Sequence, residues 1–186
     1  MRSRTDLQFV RHRPAYYLAL DLGYLRDYAA LVLLEYRATP TGTRDAATYQ
    51  FLYRRQLRVV HVERFRLRTG IGDLIARVRR LCEHPHLAHH TQLLVDVTSQ
   101  PMIAQLFRDA KIPAHFIPVT ITPGEKVVVS GGDRSVPKKL LISCLELLFE
   151  KDYLRLAAAM AQADLMRDEL RLSFSRVLGG GAVTGA

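Results

Sequence analysis

Apolar positions along the chain come in two kinds: short runs that are unbroken or rich in β-branched residues, and longer stretches spaced by three and four. Residues 16–22 (YYLALDL) are an almost unbroken apolar run between Pro14 and Gly23, the pattern of a central strand buried on both faces. Residues 28–36 (YAALVLLEY) predict a second strand, and residues 57–65, with Val59, Val60 and Val62, a third. The polar segment TPTGT at 39–43 reads as a separator between them. Ile71, Leu74, Ile75, Val78, Leu81 and Cys82 then recur at helical spacing until Pro85, with Arg77, Arg79 and Arg80 expected on the outward face.

Residues 92–97 (QLLVDV) predict a short buried strand, and Ser99 with Pro101 signals the start of a helix striped by Met102, Ile103, Leu106, Phe107 and Ala110. Residues 114–120 predict a fifth strand, and residues 126–130 an edge or hairpin strand ahead of the Gly131-Gly132-Asp133 turn. Pro137 opens a further helix striped by Leu141, Cys144, Leu145, Leu148 and Phe149; Met166, Leu170, Phe174 and Val177 mark another, with a short strand at 153–156 between them. Three strands followed by alternating helices and strands give the expected fold class: α/β, a mixed five-stranded sheet flanked by helices. The division follows: a basic segment at 1–14, one domain at 15–178, and a flexible glycine-rich tail at 179–186.

Composition narrows the class. The 186 residues suit a single domain, the apolar fraction is 48%, and no stretch approaches the roughly 20 apolar residues of a membrane span, so no membrane association is expected. Two cysteines, Cys82 and Cys144, are too few for a disulfide scaffold. Both fall on helix stripes and are expected to be buried and inert. The basic N-terminus lacks an apolar core segment, so no secretory leader is expected. The formal charge of +9 matters more: 22 of 27 basic residues are arginine, and nine of these fall between Arg54 and Arg80 against only Glu63 and Asp73. Arginine forks match phosphate, so the balance favours a polyanionic partner; a solvated face in an arginine-rich protein is the competing reading.

Two acids sit where acids are rarely left unpaired. Asp21 interrupts the most apolar strand, and Asp96 the second most apolar one at its C-terminal end. Adjacent parallel strands lie about 4.8 Å apart, so both carboxylates would emerge at one end of the sheet within reach of a shared divalent cation. Each acid alone is better explained as a cap of the following turn, but the pair favours metal. Asp27, across the turn from Asp21, offers an outer-shell or substitute ligand, with turn capping the stronger reading. Lys138 and Lys139 oppose the dipole of the helix they open, which hints at a phosphate-facing role against simple solubility. Cys82, His84, His86, His89 and His90 crowd into nine residues. All come from one helix end and its loop, so a surface loop is preferred to zinc. No G-x-S-x-G nucleophile turn occurs.

The segments Leu20-Asp21-Leu22-Gly23, Asp27-Tyr28-Ala29-Ala30, Leu94-Val95-Asp96-Val97-Thr98, Val136-Pro137-Lys138-Lys139-Leu140-Leu141, and Leu165 through Glu169-Leu170 to Phe174 occur in an order and spacing that resembles the nuclease domain of phage terminase large subunits. That resemblance implies a ribonuclease H-like fold and a metal-dependent endonuclease that cuts double-stranded DNA during packaging. It also implies two Mg2+ or Mn2+ ions with Asp21 and Asp96 as catalytic ligands, and the bacterial host cytoplasm as location. The implied partners are DNA, the terminase ATPase domain, the small subunit and the portal. A basic face from Arg54 to Arg80 (Arg77, Arg79 and Arg80 above all) with Lys138 and Lys139 would track phosphates.

The sequence departs from the family pattern. Ser99 stands where many relatives have glycine, no G-x-x-x-x-G-K-[ST] motif occurs, and no His-Asp-Asp-type third acid follows the glycine-rich stretch before Ala186. Glu169 is the nearest stand-in; a solvated face explains it and Asp168 better. Two acids alone would hold a second ion weakly, so weak or absent cleavage is expected of this chain. A junction resolvase of the same fold, or a degenerate module that only docks on DNA or motor subunits, are the alternatives.

Overall fold

A computed structural model describes residues 15–23 and 27–157. The segments at 1–14 and 179–186 and the helix expected around Met166 to Val177, with Asp168 and Glu169, lie outside the described residues.

Eight strands form one sheet: β1 Ala15–Asp21, β2 Ala30–Arg44, β3 Phe51–Arg64, β4 Thr91–Asp96, β5 His115–Thr122, β6 Val128–Ser130, β7 Asp133–Pro137 and β8 Leu154–Leu156. Their spatial order is β6-β7-β5-β4-β1-β2-β3-β8. β1 pairs antiparallel with β2 and parallel with β4, so the five expected strands sit together in the middle with short strands added at both edges. The expected mixed α/β sheet is what the protein adopts.

Helix α1, Ile71–Cys82, leads into β4, and α2, Ile103–Asp109, connects β4 to β5. α1 has Asp73 in its first turn and Arg79 and Arg80 in its last, each complementing the helix dipole. The core lies under these two helices. Leu18, Leu33 and Leu93 share one rung across β1, β2 and β4, and Leu20, Leu31 and Val95 share another; all six are buried, against Val78, Cys82, Ala104 and Phe107. Tyr16 and Glu35 form the next rung. There the apolar row ends in a buried carboxylate bound by Arg37 at 2.7 Å and Arg58 at 2.7 Å.

Helix α3, Lys138–Glu150, runs from β7 to β8, which are parallel to each other but near opposite edges. That crossover travels across the sheet in the direction opposite to those through α1 and α2, so right-handedness places it on the other face. Leu148 of α3 accordingly lines the same open cleft as Ala15, Tyr36 and Leu57.

Three expectations change. Residues 39–43 are strand, because β2 and β3 stay paired far past the edge of β1, with Thr39 opposite Arg54 and Pro40 opposite Tyr53. The register shift between Pro40 and Arg44 absorbs the proline and Gly42, whose φ of 83° suits a residue without a Cβ. Cys144 is exposed on α3, while Cys82 is buried. Arg77 does not face outward: it is half-buried and its guanidinium binds Glu63 of β3 at 2.8 Å.

The turn after β1 closes tightly on itself. A Cβ added at Gly23 would stand 2.3 Å from the carbonyl oxygen of Asp27 and 2.5 Å from the amide nitrogen of Ala29. Gly23→Ala is therefore expected to cost about 1–3 kcal/mol, the usual toll of overpacking. A urea transition that keeps its slope and moves to lower midpoint would show this; an unmoved midpoint would contradict the close approach.

Candidate active site

Asp21 and Asp96 close β1 and β4. The parallel ladder pairs Tyr16 with Thr91 through Leu20 with Val95, so its next rung sets Asp21 beside Asp96, about 4.8 Å away across the sheet. Side chains alternate along a strand. Because Leu20 and Val95 enter the core under α1 and α2, the two acids both point to the opposite face. With Leu22, Ser99 and Gln100 they line a pocket of about 20 Å³, a little more than the ~10–15 Å³ that holds one water-sized sphere.

The two carboxylates differ in their surroundings. Asp96 Oδ1 accepts hydrogen bonds from the Thr98 backbone N–H at 2.9 Å and from the Thr98 hydroxyl. That hydroxyl in turn accepts from the Ile121 N–H of β5 at 2.7 Å. The Asx turn expected as the alternative to metal is thus present at Asp96, but it uses Oδ1 alone. Asp21 reaches solvent, yet enough protein surrounds its carboxylate that lost hydration holds its pKa above the ordinary carboxylate value; Asp96 and then Asp27 add like-charge repulsion, and the Leu22 N–H offsets part of it. The fold thus brings Asp21 and Asp96 to one pocket, while Asp27 stays outside its lining and acts on Asp21 through charge.

The donor set is hard and anionic, and the pocket has the size of a single small occupant, so these residues fit one oxygen-loving divalent cation such as Mg2+ or Mn2+. Among the described residues no group of three or more His, Cys, Asp or Glu is arranged to hold a metal. Within the loop after α1, the His84 and His86 rings lie 5.4 Å apart. Burial pushes the Cys82 thiol up to about 11, away from the thiolate form that zinc requires.

The basic residues do not gather at the acids. Arg77, Arg79 and Arg80 ride on α1, on the far side of the sheet; Arg77 is committed to Glu63, Arg79 donates to the Ala110 carbonyl, and Arg80 is exposed. Arg58 serves Glu35, and the Arg64 guanidinium lies 4.1 Å from the centre of the Tyr28 ring. Lys138 and Lys139 are better placed. They are exposed at the start of α3, directly after β7, at the same rim and on the same side as the acids. Three strand spacings, roughly 14 Å, separate β7 from β1.

Sequence reading missed Thr98 as an anchor and Gln100 as part of the pocket wall. An acid two residues before a threonine is an Asx/ST-turn spacing and was a usable signal; the bond to Ile121 N–H needs the β4–β5 pairing and was not.

No protein-family model matches the chain. No curated protein matches it either. Among solved structures, a human cytomegalovirus terminase nuclease domain, soaked with manganese, is similar at 14% identity and a TM-score of 0.47, over the whole of this chain and 83% of that one.

The raised Asp21 pKa has a definite sign for stability. The folded state holds that proton more tightly than the unfolded chain, so the contribution is fully present below the ordinary carboxylate pKa and is lost as pH rises through the raised value. In chelator at pH 7, Asp21→Asn should therefore melt higher than wild type, with the gap closing near pH 3. Millimolar Mn2+ should raise the wild-type Tm and leave the variant nearly unmoved. Equal Tm values at both pH extremes would refute the repulsion.

Proposed function

We propose that this chain is a divalent-metal-dependent DNA endonuclease domain with a ribonuclease H-like arrangement, of the kind that cuts phage or prophage DNA in a packaging terminase. The observation that carries the reading is that Asp21 and Asp96 end adjacent parallel strands, each one residue past the Leu20–Val95 pair, and line one pocket. The support around it is the β5-β4-β1-β2-β3 order, the open rim, and the lysine pair on the same side.

In this reading Asp21 and Asp96 hold Mg2+ or Mn2+, and Asp27 tunes the field from the turn. The chemistry such an ion supplies is neutralisation of phosphodiester charge and activation of water. Thr98 fixes the rotation of the Asp96 carboxylate by binding one oxygen and leaving the other for the site. Lys138 and Lys139 neutralise phosphates of the approaching strand, and Ser99 and Gln100 bound the pocket and limit its width. The terminase ATPase domain, small subunit and portal are the partners this reading calls for, with host cytoplasm as its place. Among the described residues no helix is long and apolar enough to cross a membrane.

A second reading, a degenerate module that docks on DNA without cutting it, is favoured by the missing third acid among the described residues. Manganese titration with supercoiled plasmid separates the two. Slow nicking that grows with Mn2+ and is abolished by chelator supports the nuclease; DNA binding with no nicking at any Mn2+ concentration supports the docking module.

Asp21→Asn and Asp96→Asn should each lower the nicking rate at least about 100-fold, equivalent to ~2.7 kcal/mol of transition-state stabilisation. Thr98→Val should cost about 10–100-fold, as loss of an outer-shell partner does, with Thr98→Ser recovering most of it. A wild-type rate in either Asp variant would remove these acids from the chemistry.

A further inference from the structure

β2 and β3 run on together well past the end of β1, whose last partner on β2 is Tyr36. Residues 37–56 therefore form a two-stranded arm. It leaves the sheet at the end opposite to Asp21 and Asp96. From Asp21 back to Ala15 is roughly 20 Å of strand, and because residues 41–43 bulge, β2 and β3 advance together only from Leu57 to Phe51, roughly 20 Å more, so the contour from the acids to the tip is about 40 Å.

Four arginines and one acid fall within 37–56. Arg37 is held by Glu35 at the root. Asp45 spends its Oδ1 on the Ala47 and Thr48 N–H groups and the Thr48 hydroxyl, closing the tip. Arg44, Arg54 and Arg55 remain as exposed cations, with Arg54 near enough to Asp152, which Arg155 binds, to help hold that acid's pKa below its ordinary value. They do not share a face. Arg54 and Arg55 are consecutive on β3 and so point to opposite sides. The Arg44 guanidinium lies 4.5 Å from the centre of the Phe51 ring, on the side that Phe51, Tyr53 and Arg55 share by the strand period. At the tip Tyr49 is 74% exposed with a φ of 56°, an aromatic held out to solvent by left-handed backbone.

A patch that rests against one wall of phosphates carries its cations on one face. A narrow ribbon with arginines on both faces and no uncommitted acid suits a slot walled by phosphate on either side. The major groove of duplex DNA is such a slot, about 12 Å wide, and admits a two-stranded ribbon. We propose that the β2–β3 arm is a second DNA-binding element that enters a groove of duplex DNA away from the cutting rim, with Arg44, Arg54 and Arg55 as its phosphate contacts. This rests on the nucleic-acid reading above and adds to it a grip that the rim does not supply.

The test is the salt dependence of duplex binding, measured by fluorescence anisotropy on the full chain in chelator. Each phosphate contact contributes about 0.9 to the slope of log affinity against log salt. Replacing Arg44, Arg54 and Arg55 with glutamine should lower the slope by about 2.7, so that between 50 and 200 mM salt wild type loses roughly 40-fold more affinity than the variant. Each single variant should lower it by about 0.9, which guards against misfolding of the triple variant. A triple variant with the wild-type slope overturns the arm while leaving the nuclease reading to its own nicking test. Loss of slope in a protein that never nicks keeps the arm and removes the nuclease. Tighter arm-dependent binding to single strands than to duplex, or an arm needed only for binding an acidic protein, also overturns the proposal.

Discussion

The parallel register between β1 and β4 is the constraint on which the candidate site depends. Strand side chains alternate, so a slip of one residue would send one acid under α1 and α2 and bring a leucine or valine out to the rim. What prevents the slip is the pair of apolar rungs, Leu18–Leu33–Leu93 and Leu20–Leu31–Val95, all buried. Burial of each such side chain stabilises by about 1.5–3 kcal/mol, far more than the local repulsion between two partly solvated carboxylates can oppose. The core therefore fixes the acids against their own electrostatic preference.

That preference is unevenly distributed. Asp96 has its first oxygen engaged by Thr98, which is itself engaged by Ile121 of the neighbouring strand, so its orientation is set before any ligand arrives. At Asp21, lost hydration and two like charges oppose the ionised form. A bound cation would relieve that repulsion, and the pocket beside the acids is of the size that one such ion would fill.

Most of the central sheet was legible because its strands are apolar on a scale that tertiary context cannot reverse: the runs at 16–22 and 92–97 and the helix at 71–82 have no other way to bury their side chains. Asp21 and Asp96 were legible for the same reason, as charges out of place. The arm was not, since Pro40, Gly42 and three threonines carry turn chemistry locally, and only pairing with a partner strand ten or more residues away makes them extended. Cys144 misled because its stripe implies a covering element that the described residues do not provide, and Arg77 misled because helical spacing does not reveal that Glu63 waits on the strand before it.

The arginines carry the same lesson in charge. Nine of them between residues 54 and 80 look like one basic face in the sequence, but the fold sends them to separate tasks. Arg58 neutralises a buried glutamate, Arg77 pairs with Glu63, and Arg79 ties α1 to the end of α2, so none of these three is spare for a phosphate without breaking an internal contact. Net charge thus measures attraction to a polyanion at long range, while contact is left to the cations the fold does not use. Among them are Lys138 and Lys139 by the acids and Arg44, Arg54 and Arg55 on the arm, at the two ends of the sheet. On the proposed DNA reading, a duplex spanning both ends would be held at points up to about 40 Å apart, roughly twelve base pairs at ~3.4 Å each. Two separated grips restrict a duplex's rotation far more than one continuous patch of equal charge, which is what the proposed cleavage at so small a pocket would require.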